Sequence, residues 1–212
     1  MHKHTEESML SVEAALSKVL ELVDPLEPEL SSVQNTLGQV LSEDIASNIS
    51  LPPFDNSAMD GYAVQSSDTS AASKTSPVLL KVVGQVSAGE LPEHSVSPGT
   101  AIRIMTGAQV PKGANAIVPF EETDEKDRIN NTTGISEINI NTPSIPNAHV
   151  RPAGQDVLRG TTVLRKGTQL RPPDISIIAS IGIDKVRVVR RPIVSILSTG
   201  NELTEPGAPL SK

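Results

Sequence analysis

The sequence predicts an α+β protein that is richer in strands than in helices. Apolar residues near the N-terminus follow a helical spacing, whereas short β-rich runs separated by Gly, Pro, Asn and Ser follow between about residues 44 and 150. A second helix signal and two further apolar runs come after residue 151. The 212 residues also include 17 Pro and 14 Gly, a composition typical of short strands joined by tight turns.

The N-terminal helix is predicted over residues 11–23. Its apolar residues recur at i, i+3 and i+4, so they share one helix face. They are Val12, Ala15, Leu16, Val19, Leu20 and Val23. Ser11 can cap this helix and Asp24-Pro25 ends it. A shorter helix is predicted over residues 32–41, although Gly38 is unfavourable there.

Four β-rich runs in the middle of the chain predict a small barrel-like or sandwich-like domain. The runs are residues 78–86, 101–105, 116–120 and 135–140. Residues 121–131 are charged and polar, which predicts a solvated hairpin tip.

The C-terminal part predicts a helix followed by two strands. Arg171-Pro-Pro-Asp174 is typical of a helix start, and Gly182 of a helix end. Strands are predicted at residues 185–189 and 193–197. The second strand shows no alternation, as in a parallel strand buried on both faces, which requires neighbouring strands and covering helices. We therefore expect a third domain that begins near residue 192 and is incomplete in this sequence.

Composition and charge exclude several classes of function. The net charge of −7 disfavours nucleic acid as a partner, because phosphate contacts need a basic surface. No apolar run reaches the roughly 18–20 residues of a membrane span, and no signal peptide is visible, so a cytoplasmic protein is expected. The chain has no Cys, and its four His lack metal-ligand spacing, which argues against zinc. Standard nucleotide-binding glycine motifs are also absent.

Residues 52–64 form the densest polar segment and the first candidate site. Two prolines stiffen its entry, and Asp60-Gly61 is a strong tight-turn pair. A loop held in this way could present Asp55, Ser57 and Asp60 to a phosphate or a hydrated cation. A plain turn with solvated carboxylates is the alternative interpretation.

Two further segments carry weaker signals. Thr106-Gly107 follows an apolar strand and offers a hydroxyl and an approachable backbone N–H, although a hairpin end looks the same. Asp156 lies between Arg151 and Arg159, which fits an ion-paired structural element as well as a ligand.

The fourth candidate site is Ser198-Thr-Gly-Asn-Glu202, directly after the second apolar strand. Ligands of open α/β sheets bind outside the carboxyl ends of the strands. Thr199, Gly200 and Glu202 therefore offer a hydroxyl, a free amide and a carboxylate at a favourable place.

These four segments, in this order, resemble the molybdopterin molybdenumtransferase family, whose relatives include the C-terminal domain of gephyrin. The matching stretches are PPFDNSAMDGYAV (52–64), IRIMTGAQVP (102–111), AGQDVLRGTTVLRKGTQL (153–170), IASIGI (178–183) and PIVSILSTGNELTEPG (192–207). The resemblance covers nearly the whole chain, and its first and last stretches are too long to be a coincidence.

The resemblance implies a domain organisation and a quaternary structure. Residues 1–51 and 152–190 would form a mixed α/β domain, and residues 52–151 an inserted β-rich domain. Residues 191–212 would begin a truncated α/β molybdopterin-binding domain. Members of the family are elongated homodimers, with the active-site cleft between the molybdopterin-binding domain of one subunit and the β-rich domain of the other.

The resemblance also implies a reaction and a set of residues. The family takes adenylylated molybdopterin and molybdate, releases AMP with the help of Mg²⁺, and places molybdenum on the dithiolene sulfurs. Catalytic roles fall on Asp60, Thr106 and Glu202, with Asp60 and Glu202 also as Mg²⁺ ligands. A substrate-binding role falls on Asp156, which matches the acid of the family's third segment, and the residue types and positions of Ser57, Thr199 and Gly200 make them further substrate-binding candidates. Where the family has Asp before the last glutamate, this chain has Asn201, which removes one charge from that position.

Two interpretations of the resemblance stay open. The first is the N-terminal part of a molybdenum-inserting enzyme, which we expect to be inactive as an isolated fragment. The second is a non-catalytic scaffold or dimerisation module of the same fold.

Overall fold

The computed structural model describes residues 10–128, 135–200 and 203–209. These residues form a mixed α+β structure with much sheet and few helices, as the sequence predicts. The chain divides into two compact units, one of Met1–Asp44 with Arg165–Lys212 and one of Ile45–Leu164. The domain boundaries predicted at residues 51–52, 151–152 and 190–191 stay predictions. In the described part of the chain, every helix is too short or too polar to cross a bilayer.

The elements are numbered in chain order. The helices are α1 (Val12–Leu20), α2 (Glu125–Arg128) and α3 (Pro172–Ser180). The strands are β1 (Pro28–Ser32), β2 (Ile45–Ala46), β3 (Asn56–Ser57), β4 (Gly61–Val64), β5 (Val78–Val86), β6 (Thr100–Ile104), β7 (Ala116–Pro119), β8 (Glu137–Ile140), β9 (Val150–Arg151), β10 (Thr162–Leu164) and β11 (Lys185–Val189). The four predicted β-rich runs are confirmed as β5, β6, β7 and β8.

The discontinuous unit contains α1, α3 and the antiparallel pair of β1 and β11. Helix α1 begins as predicted, because the Ser11 side chain accepts the Ala14 N–H at 3.2 Å. It ends at Leu20 rather than Val23, and a turn at residues 21–22 follows it ahead of Pro25. Helix α3 buries Ile178, the next residue after the helix, Ile181, is also buried, and Gly182 follows at a φ of 79°.

The helix predicted over residues 32–41 is wrong. Strand β1 extends to Ser32, and only Val33–Asn35 form a single 3-10 turn. The Thr36 hydroxyl donates to the Val33 carbonyl at 2.7 Å, a local bond that competes with helix continuation. Gly38 then takes a φ of 80°, which turns the chain out of any helix.

The continuous unit, Ile45–Leu164, is built on a five-stranded sheet in the order β7-β4-β6-β5-β8. Strands β5 and β6 are parallel, and the other neighbours are antiparallel. Both faces are covered, so alternate residues of one strand enter different clusters: Tyr62 and Val64 pack on one face and Ala63 on the other. Burial on both faces explains why β4 and β7 are almost continuously apolar, whereas β5 and β8 keep exposed polar residues.

Residues 121–131 are not a solvated hairpin tip over their described part. A 3-10 turn at Phe120–Glu122 leads into α2, where Glu125 is buried. The prediction failed because Arg103 neutralises Glu125, so a charged residue can leave water.

The strand predicted at residues 193–197 is absent from the described residues. This stretch has no regular secondary structure and is exposed, with Ile193 at 91% and Ile196 at 90% exposure. A strand needs the backbone of a neighbour, and no described strand pairs with it.

Candidate functional site

The first two candidate segments meet at the start of the five-stranded sheet. Strand β3 leads through a short turn into β4, and the Ser57 N–H donates to the Ala108 carbonyl at 3.0 Å. The Gly107 N–H donates back to the Ser57 carbonyl at 2.8 Å. These bonds join the loop of Asp60 to the loop of Thr106.

Asp60 and Thr106 form the centre of this site. Asp60 Oδ1 accepts the Thr106 backbone N–H at 2.7 Å and the Thr106 hydroxyl at 2.7 Å. Both donors come from one residue, so the carboxylate has a single defined orientation. Among the described residues, no donor reaches Oδ2, which leaves that oxygen for a ligand. Two residues that the sequence singled out separately thus act as one unit.

The Thr106 contacts keep Asp60 ionised. Its pKa lies below the ordinary value of 3.8, chiefly because the Thr106 N–H, and then the Thr106 hydroxyl, stabilise the carboxylate. The charge of Arg103 acts in the same direction. At neutral pH, Asp60 is therefore an anionic acceptor near the protein surface.

Ser57 holds the turn together. Its hydroxyl donates to the Met59 carbonyl at 2.5 Å and accepts the Met59 N–H at 3.3 Å. The residue is buried at 1% exposure, so its visible role is to shape the loop before Asp60. Its predicted contact with substrate stays a prediction.

The third segment reaches the same loop from the other side. Asp55 Oδ1 accepts the Ala153 N–H at 2.8 Å, and β3 pairs with β9. Asp156 forms the ion pair foreseen as an alternative, with Arg151 Nη2 at 2.9 Å from Oδ2. Both side chains are about half exposed, at 44% and 56%. Asp156 is thus accessible, but its carboxylate already has a partner.

The fourth segment is only partly described. Thr199 and Gly200 are exposed and belong to the discontinuous unit. Asn201 and Glu202 lie outside the described residues, so their predicted roles stay predictions.

A buried cluster beside the site was not foreseen. Arg103, directly opposite Tyr62 in the sheet, forms an ion pair with Glu125, with Nε 3.0 Å from Oε2. The Tyr62 hydroxyl is buried without a well-aligned hydrogen bond in the described structure, and its pKa is raised by burial and by the nearby Glu125. A cavity of about 600 Å³ opens beside these side chains. One signal was available: Arg103 interrupts the apolar run Ile102-Arg-Ile104.

The donor chemistry at Asp60 suits a hard cation only in part. In the described ranges, no three His, Cys, Asp or Glu side chains come together as a metal site. Mg²⁺ is commonly held by one or two carboxylates together with waters and substrate phosphates. Asp60 supplies one such carboxylate, so a complete site needs further ligands.

Comparison with known proteins gives one family. The family described as "MoeA N-terminal region (domain I and II)" matches residues 10–182. "Molybdopterin molybdenumtransferase 2" of Mycobacterium tuberculosis (strain CDC 1551 / Oshkosh) is 41% identical over 202 residues, which is 95% of this chain and 48% of that protein. "Molybdopterin molybdenumtransferase" of Haemophilus influenzae is 39% identical over 95% of this chain and 47% of its own length. The chain spans about half the length of the curated relatives it matches.

Solved structures agree with this similarity. The molybdopterin biosynthesis moeA protein from Pyrococcus horikoshii OT3 matches with a TM-score of 0.73 and 35% identity. The match covers 84% of this chain and 45% of the matched chain. The α+β fold described above is therefore the fold of those proteins over the matched part.

Proposed function

The chain belongs to the family of the MoeA N-terminal region, and from this premise we propose that it is the N-terminal part of an enzyme that inserts molybdenum into molybdopterin. The substrates would be adenylylated molybdopterin and molybdate, and AMP would leave. The activity is proposed for the whole protein, because the chain spans about half of its relatives.

The Asp60–Thr106 pair carries the proposal. Cleaving the phosphoanhydride of an adenylylated substrate mainly needs charge neutralisation and alignment. Asp60 is an ionised carboxylate oriented by two hydrogen bonds, and Thr106 is exposed two residues after the end of β6. Such a pair can orient an attacking water or a hydrated cation towards a phosphate.

Mg²⁺ is the proposed metal, with Asp60 and Glu202 as its ligands. When bound, Mg²⁺ would neutralise charge on the phosphate oxygens. Ser57, Asp156, Thr199 and Gly200 are the proposed substrate-binding residues. Of these, Asp156 has a carboxylate that is about half exposed, and Thr199 and Gly200 are both exposed to solvent.

The test is molybdenum insertion by the full-length protein carrying Asp60→Ala. We expect kcat to fall by about 100-fold or more, because a charged group aligned with the reacting phosphate is lost. Asp68→Ala is the matched control. Asp68 is also a surface carboxylate that accepts a backbone N–H, that of Gly99 at 2.8 Å, and its removal should leave kcat unchanged. Equal activity of the Asp60→Ala protein and its parent would refute the proposed role.

A mixed dimer extends this test to the proposed homodimer. If each site combines Asp60 of one subunit with Glu202 of the other, co-expressed Asp60→Ala and Glu202→Ala chains restore about a quarter of the parent activity. The two variants remain inactive when each is expressed alone. Parent protein without any insertion activity would instead favour the scaffold function.

A further inference from the structure

We propose that Arg103 is a positioning residue: held by Glu125, it fixes the two strand ends that present Asp60 and Thr106. Arg103 acts through the backbone and need not touch the substrate. The kinetic part of the inference rests on the proposed function, whereas its structural part does not.

A single guanidinium nitrogen joins the two strand ends. Arg103 Nη1 donates to the Gly61 carbonyl at 3.1 Å and to the Ile104 carbonyl at 3.0 Å. Gly61 directly follows Asp60 at the start of β4, and Ile104 ends β6 two residues before Thr106. The side chain of Arg103 therefore helps to set the distance between Asp60 and Thr106.

Glu125 fixes the guanidinium in this orientation. Arg103 Nε lies 3.0 Å from Glu125 Oε2, and Nη2 donates to Oε1 at 3.1 Å. The side chains of the pair are only 17% and 11% exposed. The guanidinium is therefore held by one hydrogen bond and one close charge contact, because Oε2 accepts no aligned hydrogen bond among the described residues. Together they restrict the guanidinium so that Nη1 is directed at the carbonyls.

Two aromatic rings complete the support. The guanidinium carbon lies 5.4 Å from the centre of the Tyr62 ring and 5.8 Å from that of Phe120. Phe120 also donates its backbone N–H to the Asp60 carbonyl at 3.1 Å. Phe120 therefore contacts the Arg103 guanidinium with its ring and bonds to Asp60 through its backbone.

Stability alone does not account for this arrangement. A buried ion pair contributes little net stability, and two apolar side chains of similar size often replace it without loss. Such side chains would fill the space but could not donate to the Gly61 and Ile104 carbonyls. A structural role and a positioning role therefore predict different behaviour of a doubly apolar variant.

The experiment compares Arg103→Met with Arg103→Met/Glu125→Leu. Three quantities are measured: the thermal midpoint, the amide hydrogen exchange of Thr106 and Phe120, and kcat and KM of the full-length protein. Arg103→Met leaves Glu125 buried and unpaired, so its midpoint should fall by about 5 °C or more. The double variant should recover most of this loss.

If Arg103 is a positioning residue, the double variant should regain stability without regaining activity. In both variants, the Thr106 amide should exchange about tenfold faster, and kcat should fall by about 10- to 100-fold with KM nearly constant. Arg103→Lys keeps the charge but lacks the planar fork, so it should fold and show the same defects. Arg128→Met is the matched control. It removes another arginine–carboxylate pair of the same helix, 2.7 Å from Asp124, and should leave Thr106 exchange and kcat unchanged.

A double variant with parental Thr106 exchange and parental kcat would overturn the inference and make the pair purely structural. Parent protein without insertion activity would contradict the proposed function instead. Amide exchange would then still decide whether Arg103 positions the Asp60–Thr106 pair.

Discussion

At the scale of residues, Asp60 owes its properties to the backbone around it. Its carboxylate accepts two hydrogen bonds from Thr106, and its carbonyl accepts the Phe120 N–H. The next residue must be Gly61, since a Cβ there would lie 2.1 Å from the Val118 carbonyl oxygen. The absence of a Cβ at Gly61 therefore lets β7 pack directly beside the residue that follows Asp60.

Gly61→Ala is expected to lower the free energy of unfolding by about 3 kcal/mol. The added methyl group would press against the backbone of Val118 and Pro119, which cannot move without disturbing the sheet. Chemical denaturation measures the effect.

Gly84→Ala provides the comparison for this prediction. The nearest atom to a Cβ at Gly84 is Cδ2 of the exposed His94 side chain, at 2.7 Å, and that side chain can rotate away. The change in stability should stay below about 1 kcal/mol. Equal losses in the two variants would contradict the explanation given for Gly61.

At the scale of elements, the sequence correctly predicted helix ends that depend on one capping residue or on a short local motif. Ser11 caps α1, Arg171-Pro-Pro-Asp174 begins α3, and Gly182 ends it, all as predicted. The apparent helix at residues 32–41 had the right spacing of apolar residues. Thr36 nevertheless bonds its hydroxyl to a nearby carbonyl, and Gly38 adopts a positive φ, and both disfavour a helix there. The spacing of apolar residues gives no sign of either.

The start of α3 predicts a pH-dependent stability. Asp174 Oδ2 accepts the Arg171 N–H at 2.9 Å and its Nε–H at 3.1 Å. The side-chain and backbone bonds from Arg171 lower the pKa of Asp174 below 3.8. A lowered carboxylate pKa stabilises the fold above the unfolded value, and this contribution is lost as pH falls through the folded value.

Asp174→Ala should therefore cost about 1 kcal/mol at pH 7, and less as pH falls below about 4. Urea denaturation at pH 7 and pH 3 measures both values. Asp184→Ala, at an exposed position before β11, should change stability little at either pH. A loss for Asp174→Ala that does not shrink at pH 3 would refute the role of its charge.

At the scale of the whole molecule, the continuous unit should be an independent folding unit. The ends of Ile45–Leu164 meet, because β2 pairs with β10 and Ile45 lies opposite Leu164. The segment also contains the complete five-stranded sheet. Its excision would break no strand pairing within this sheet.

Residues 45–164 expressed alone should give a β-rich circular dichroism spectrum and a single cooperative thermal transition. A segment of equal length, residues 66–185, is the control. It lacks β4, which pairs with both β6 and β7, and should remain unfolded. Loss of structure in both segments would contradict the independence of the unit.

The sequence by itself determined the family resemblance, the first and last helices and the β-rich runs, and it singled out Asp60 and Thr106 separately. Each of these depends on neighbours along the chain: the apolar period, the turn residues and the motif strings. Tertiary structure alone decided that Asp60 meets Thr106, 46 residues away, and that Arg103 meets Glu125, 22 residues away. Such contacts depend on the order and register of the strands. The same local sequence pattern is compatible with several strand orders and registers, so it does not determine them.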